Sequence, residues 1–296
     1  MENVTSKHVL ITGATSGIGY ELAKLFAKDN YNLVLVARNR QNLEIVSNEM
    51  KKENPAIHTH LLEVDLFLNG AAEEVYNKTT ELGIRIDVLV NNAGQGEWGK
   101  FTNTDLEREI DIVQLNIVTM MGLTKLYLRE MLERNSGRIL QLASSASKVP
   151  SPYLSVYAAT KAFVLSLTEA LIKEVEGSEV TITALQPGAT DTDFFHKAKA
   201  ENSVTYKESS LYTPEEVAKA GYEGLMNGDA TVVPGFMNKT QGVLNTILPD
   251  DAVAANMEKQ MEPSKKENGK TTITHKASAR ERESINNLSG LTHGDY

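Results

Sequence analysis

Short runs of apolar, largely β-branched residues recur along the chain, and a stretch with helical spacing follows almost every one. The runs are HVLIT (8–12), NLVLVA (32–37), IHTHLL (57–62), IDVLV (86–90), GRILQLA (137–143) and VTITALQ (180–186), with TVV (231–233) as a short seventh. Several are nearly continuous in apolar residues, as strands covered on both faces must be. Helical patterns fall at 17–29, 40–53, 71–82, 105–133, 157–175 and 214–227. Strand then helix, repeated in this order, predicts an α/β fold: a Rossmann-type doubly wound parallel sheet of about seven strands flanked by helices.

Composition narrows the chemistry. The 296 residues include no cysteine, which removes disulfides, thiolate metal sites and cysteine nucleophiles, so no metal site is expected. A net charge of −9 opposes nucleic acid as a partner, because phosphate binding needs a basic face. The first residues, MENVTSKHVLITGATSG, lack the apolar core and cleavage site of a signal peptide. No apolar run is read as approaching the ~20 residues that span a bilayer, so no membrane is expected and the location is expected to be cytoplasmic. No composition break interrupts 7–235, so residues 1–262 read as one domain, with 236–262 weakly amphipathic and helical. From Pro263 onward six Lys/Arg stand beside four Asp/Glu, and Tyr296 is the one aromatic residue. Such a segment buries too little apolar surface to offset its ordering entropy, so 263–296 is expected to be a disordered tail.

The segment Thr12-Gly13-Ala14-Thr15-Ser16-Gly17-Ile18-Gly19 follows the first strand and opens a helix. A glycine-rich turn here lets backbone N–H groups approach a diphosphate, and the helix N-terminus adds partial positive charge. Its spacing, G-x-x-x-G-x-G, differs from the G-x-G-x-x-G of the standard dinucleotide fingerprint. A literal G-x-G-x-x-G stands at Gly94–Gly99, but no helix opens at its last glycine, so the first turn is taken as the cradle. The second strand ends Leu35-Val36-Ala37-Arg38-Asn39-Arg40, with no acid before Glu44. An acid there holds both ribose hydroxyls of NAD, whereas an arginine accommodates a 2′-phosphate. Arg38 therefore predicts NADP(H), through charge-assisted bonds to that phosphate.

Tyr157 and Lys161 are four residues apart, on one face of a helix. Tyr20 and Lys24 repeat the spacing in the first helix, so spacing alone does not choose. Tyr157 follows the strand that ends at Leu142-Ala143-Ser144-Ser145, near the carboxyl edge where ligands bind in open α/β sheets.

These elements in order resemble the short-chain dehydrogenase/reductase family of the single-domain type. The resemblance rests on TGATSGIG (12–19), Asp65, NNAG (91–94), Asn116, Ser144, YAATK (157–161) and PGATDT (187–192). It implies an NADP(H)-dependent oxidoreductase, a carbonyl reductase or alcohol dehydrogenase, passing a hydride between nicotinamide and a carbonyl or secondary alcohol. By this likeness Tyr157 is the general acid/base, Lys161 stabilises its phenolate and holds the nicotinamide ribose, and Ser144 binds the substrate oxygen. Ser145 is the rival, but Ser144 has the family's spacing to Tyr157. Asn116 is expected to anchor a water linking Lys161 to solvent. On the cofactor side the likeness assigns Gly13, Thr15, Ser16, Gly17, Ile18 and Gly19 to the diphosphate, and Asp65, Asn92, Ala93 and Gly94 to the adenosine. Pro187, Gly188, Thr190 and Thr192 go to the nicotinamide amide or the diphosphate. Loops 95–101, 146–154 and 193–213 are expected to wall a substrate pocket, with Trp98, Tyr153, Phe194 and Phe195 as apolar surfaces and Lys148 and Lys197 as single cations. The resemblance also implies a homodimer or homotetramer, joined through the helices 105–133 and 157–175. Two alternatives stay open: a dinucleotide-binding regulator or scaffold without catalysis, and a sugar-nucleotide epimerase or dehydratase, which shares Tyr-x-x-x-Lys.

Overall fold

Alternation of side chains across each strand determines what the sheet buries. In the computed structural model, which describes residues 7–235 and 249–265, Val9, Ile11, Leu33, Leu35, Val88 and Val90 point into one core. Their neighbours Leu10, Val34, Val36 and Leu89 point into another on the opposite face. Both faces are therefore apolar, and helices cover both.

The strands are β1 (His8–Thr12), β2 (Asn32–Ala37), β3 (Thr59–Glu63), β4 (Val88–Asn91), β5 (Gly137–Leu142), β6 (Val180–Leu185) and β7 (Thr231–Val232). They form one parallel sheet in the order β3-β2-β1-β4-β5-β6-β7. The order reverses between β1 and β4, which pair directly in the register Val9↔Val88. At such a reversal the loops leave the sheet in opposite directions and open a crevice at its carboxyl edge. The third strand begins two residues later than its sequence pattern suggests; Ile57 is buried but precedes it.

The helices between strands are α1 (Gly17–Lys28), α2 (Arg40–Glu53), α3 (Ala71–Glu81), α4 (Leu106–Val113), α5 (Met120–Glu133) and α6 (Ser155–Glu174). Beyond β6 come α7 (Phe194–Lys197), α8 (Val204–Glu208), α9 (Pro214–Asn227) and α10 (Asp250–Met261). Local chemistry fixes several ends. Asn39 and Asp105 cap α2 and α4 by accepting from the amides of Asn42 and Arg108. Thr213 and Glu216 make a reciprocal capping box on α9.

The single helix expected over 105–133 is divided. A π-helical turn, Gln114–Thr119, separates α4 from α5. The helix Ser155–Glu174 is 20 residues long and, by length and composition, apolar enough to cross a membrane, which corrects the expectation that no run approached that length. One third of its apolar window is buried within the domain. Tyr20 and Lys24 bond Glu49 and Glu21, tying α1 to α2 and to itself. The chain divides into two units, Met1–Pro263 and Ser264–Tyr296, and every element above lies in the first. Residues 236–248 of the expected helical stretch, and 266–296 of the expected tail, lie outside the described residues.

Candidate active site

The crevice at the β1/β4 reversal opens into a cleft of about 1820 Å³. Of the residues singled out from sequence, Gly13, Thr15, Ser16, Gly17, Ile18, Arg38, Asn92, Ala93, Gly94, Ser144, Tyr157, Lys161, Pro187, Gly188, Thr190 and Thr192 line it. Gly19, Asp65 and Asn116 do not. Each of the three is a neighbour that shapes the lining.

The cradle is built by Thr12, which sequence reasoning left out of the site. Its buried hydroxyl accepts from the amides of Asn92 and Ala93, each at 3.0 Å. Asn92 returns the bond, its Nδ2 donating to the carbonyls of Thr12 and Gly13 at 2.9 and 3.2 Å. The two loops at the reversal are thus cross-tied. Gly17, at φ +55°, starts α1 in the left-handed region, and a Cβ there would also sit 3.1 Å from the Thr192 methyl. Ser16 precedes α1 without a side-chain cap bond, so its side chain does not occupy the first amides of α1, whose residues Gly17 and Ile18 line the cleft. This turn fits a diphosphate: it combines backbone donors, a helix N-terminus and no side chain in the way. Thr190 Oγ1 is bonded to the Gly188 carbonyl at 2.9 Å, and Thr192 Oγ1 accepts from Phe194 N–H at 3.3 Å. Their hydroxyls hold the loop facing the cradle.

At the carboxyl end of β2, Arg38 makes no ion pair with a described carboxylate; Arg40 is held by Glu44 at 2.9 Å and by the Leu61 carbonyl. The Arg38 guanidinium lies 5.0 Å from the centre of the Phe67 ring, and Arg108 lies 5.4 Å from the same ring. Asp65 does not reach into the cleft; its carboxylate accepts from Phe67 N–H at 3.1 Å and shapes the turn after β3.

Ser144, Tyr157 and Lys161 meet where β5 ends. Ser144 is buried and Ser145 exposed, as adjacent residues leaving a strand diverge. The Ser144 hydroxyl accepts from Ala146 N–H at 3.1 Å, and its own amide bonds Ser147 Oγ, which fixes the 3-10 turn Ser145–Lys148. Tyr157 stands in the first turn of α6. Burial pushes its phenol up to about 12, and a hydrogen bond with Ser144 pulls the other way. One turn on, Lys161 is 3% exposed and donates to the Leu142 carbonyl at 2.6 Å. Burial pushes its ammonium down to about 8. Its Nζ is 5.8 Å from the Tyr157 ring centre. Gly94 leaves room for this amine, since a Cβ there would fall 3.2 Å from Lys161 Nζ and 3.4 Å from Asn116 Oδ1.

Asn116 sits in the π-helical turn. Its Oδ1 accepts from Gln95 N–H at 3.1 Å, and its Nδ2 donates to the Gln95 carbonyl and to Thr160 Oγ1, both at 2.9 Å. Both ends of the amide are engaged with protein. These bonds clamp the backbone after Gly94.

The segment Gly94–Gly99 opens no helix; it fastens the loops around the pocket. Trp98 N–H donates to the Ala198 carbonyl at 2.8 Å, and Glu97 pairs with Lys199 at 2.6 Å. The Trp98 indole donates to the Met261 carbonyl at 2.7 Å and stacks on Tyr153 at 5.7 Å. Trp98 and Tyr153 therefore brace the pocket from behind and do not line it. Phe194 and Phe195 do line it, with Leu154, Leu211, Met257 and Met261, and Lys148 and Lys197 stand on its lining as well. The Phe194 ring lies 4.8 Å from the ring of Tyr157.

The chain belongs to the short-chain dehydrogenase family, whose model matches residues 7–203. It is an oxidoreductase of a family that binds a nicotinamide dinucleotide. It is 31% identical to the ketoacyl reductase HetN of Nostoc sp. over 249 residues, 84% of this chain and 85% of that one. It is 34% identical to a very-long-chain 3-oxoacyl-CoA reductase of Mycosarcoma maydis over 178 residues, 60% of this chain, and spans about half, 51%, of that enzyme's length. Among solved structures it resembles a short-chain dehydrogenase from Sphingobium yanoikuyae in complex with NADPH, with a TM-score of 0.72 and 27% identity, covering 82% of this chain and 96% of that one.

Proposed function

We propose that the protein is an NADP(H)-dependent carbonyl reductase for ketones carried on an apolar body, with Tyr157 as its general acid. The observation that carries the reading is that Ser144, Tyr157 and Lys161 converge on one cleft that also contains the glycine cradle. When bound, the nicotinamide supplies the hydride for reduction and accepts it for oxidation. Gly13 to Ile18 would hold the diphosphate, Arg38 the 2′-phosphate, and Pro187 to Thr192 the nicotinamide side.

The chain's own residues handle the oxygen and its proton. The Ser144 hydroxyl donates to the substrate oxygen, a bond that strengthens as negative charge develops there. Tyr157 gives its phenolic proton to that oxygen. A phenol raised by burial keeps its proton at neutral pH, so it holds the proton that it gives. The Lys161 ammonium, oriented by the Leu142 carbonyl, compensates the phenolate left behind. The Phe194 ring, 4.8 Å from the ring of Tyr157, gives the phenol an apolar neighbour in the cleft. The apolar lining from Leu154 to Met261 favours a hydrophobic body on the carbonyl, and the 3-oxoacyl-CoA reductases and the ketoacyl reductase among its relatives make 3-oxo esters and thioesters the first substrates to try. We further propose that it works as a homo-oligomer.

The test is NADPH oxidation across ketones, aldehydes, 3-oxo esters and quinones, run with wild type and Tyr157→Phe. The expected result is turnover of apolar ketones, lost by at least about 10²-fold in the variant while cofactor binding persists. Equal turnover by the variant would overturn the mechanism.

A further inference from the structure

We propose that Phe67 is a positioning residue for the 2′-phosphate of the cofactor: its ring holds the Arg38 guanidinium at the adenosine end of the cleft and so sets the preference for NADPH over NADH. This rests on the NADP(H) reading above.

Arg38 leaves the end of β2 on a long side chain with many rotamers, and no described carboxylate fixes it. A carboxylate would be a poor choice, because it would neutralise the charge a phosphate needs. Arg40 shows that alternative, held by Glu44 at 2.9 Å with its charge already met. An aromatic face orients a guanidinium and leaves its charge and its outward N–H donors available. Phe67 supplies such a face 5.0 Å away, and both residues line the cleft.

The ring is itself anchored. Phe67 N–H bonds Asp65 Oδ1 at 3.1 Å, and Leu68 N–H bonds the Asp65 carbonyl at 3.2 Å, closing a tight turn directly after β3. The ring packs against the core on that face of the sheet. Asp65, expected to touch the adenine, thus acts through Phe67. Arg108 adds a second cation 5.4 Å from the ring, itself fixed by Gln95 Oε1 and by Glu97 at 3.8 Å.

The test compares wild type, Phe67→Leu and Phe67→Tyr by calorimetric titration with adenosine 2′,5′-bisphosphate and with ADP, then by steady-state kinetics with NADPH and NADH. Wild type is expected to bind the 2′-phosphorylated ligand the tighter. Phe67→Leu is expected to weaken that ligand about 3- to 10-fold, the size of a partly exposed cation–π contact, and to leave ADP within about twofold. KM for NADPH should rise by the same factor with kcat unchanged, and Phe67→Tyr, which keeps the π face, should behave as wild type. Should the leucine variant unfold at the assay temperature, Phe67→Met, closer in volume, takes its place. A wild type that does not prefer the 2′-phosphate overturns the cofactor reading, and this proposal with it. A wild type that prefers it, with a leucine variant that weakens both ligands equally or neither, overturns the role of Phe67 alone.

Discussion

Tyr157 and Lys161 are opposite kinds of ionising group in one buried place, and burial acts on each against its charged form. The phenol rises to about 12 and the ammonium falls to about 8, so at neutral pH both hold their protons. Reduction uses the phenol proton and needs the ammonium beside it. The reductive kcat/KM is therefore expected to be level up to about pH 8 and to fall above it as Lys161 deprotonates. Stability should move the other way. In the unfolded chain Lys161 returns to 10.5, so between about 8 and 10.5 the unfolded state holds a proton that the folded state lacks. This group's contribution to stability then rises with pH through that window. Above pH 10 the raised phenols of Tyr127, which is buried, and Tyr222, which is half-buried, oppose it. A pH–rate profile read beside thermal melts separates the two effects; activity and melting temperature falling together from pH 8 would overturn the assignment to Lys161. The strand end and the helical turn made Tyr157 and Lys161 legible, and the family resemblance, through its spacing to Tyr157, chose Ser144 over Ser145. Thr12 and Phe67 were not, since a threonine at a strand end and a phenylalanine after an acid carry no local signal. Their importance comes from Asn92 and Arg38, residues that only folding brings near.

Strands and long helices announced themselves through period, because each faces a core on a regular pattern of side chains. The interruption at Gln114–Thr119 did not: it contains neither proline nor glycine, and its extra residue belongs with the tertiary bonds of Asn116 to Gln95 and Thr160. Helices α7 and α8, four and five residues long, are too short for any period to show. Helix α10 is legible as a helix but not in its purpose. Its end is stitched to the pocket by Trp98 on the Met261 carbonyl, Thr205 on the Gln260 carbonyl, and Val204 N–H on the Glu262 carbonyl. Ser203 also bridges Pro263, so the contacts at this end run one residue past Glu262. Trp98→Phe is expected to lower stability by about 1 kcal/mol, or roughly 2–4 °C in melting temperature for a chain of this size. Because Met257 and Met261 line the cleft, the same change should raise the substrate KM while cofactor affinity holds. A melting temperature and KM both equal to wild type would show that the indole bond does not hold α10 in place.

At the scale of the molecule, the sheet order explains one cleft, and the helices that cover one face leave something over. Leu106 and Ile110 on α4 are 67% and 51% exposed, and Val118, Met121 and Phe163 lie on the π-helical turn, α5 and α6 beside it. Helices α4 and α6 pack together, so these side chains belong to neighbouring elements. Exposed apolar residues clustered in this way mark a surface that meets something. Helix α6 is apolar enough for a bilayer, but its inner face holds Tyr157 and Lys161 against β5 and cannot turn outward to lipid. A second copy needs only the outer face, and a two-fold axis lets the same apolar patch cover itself. Light scattering is therefore expected to return twice or four times the 32.5 kDa chain mass. Ile110→Glu combined with Phe163→Glu should shift the protein to monomer at micromolar concentration, because two carboxylates per copy would be desolvated on pairing. The glycine cradle, Ser144, Tyr157 and Lys161 all come from one chain, so the monomer is expected still to bind cofactor. A wild type that runs as a monomer at those concentrations, or a double variant with undiminished mass, would assign this apolar face to another role.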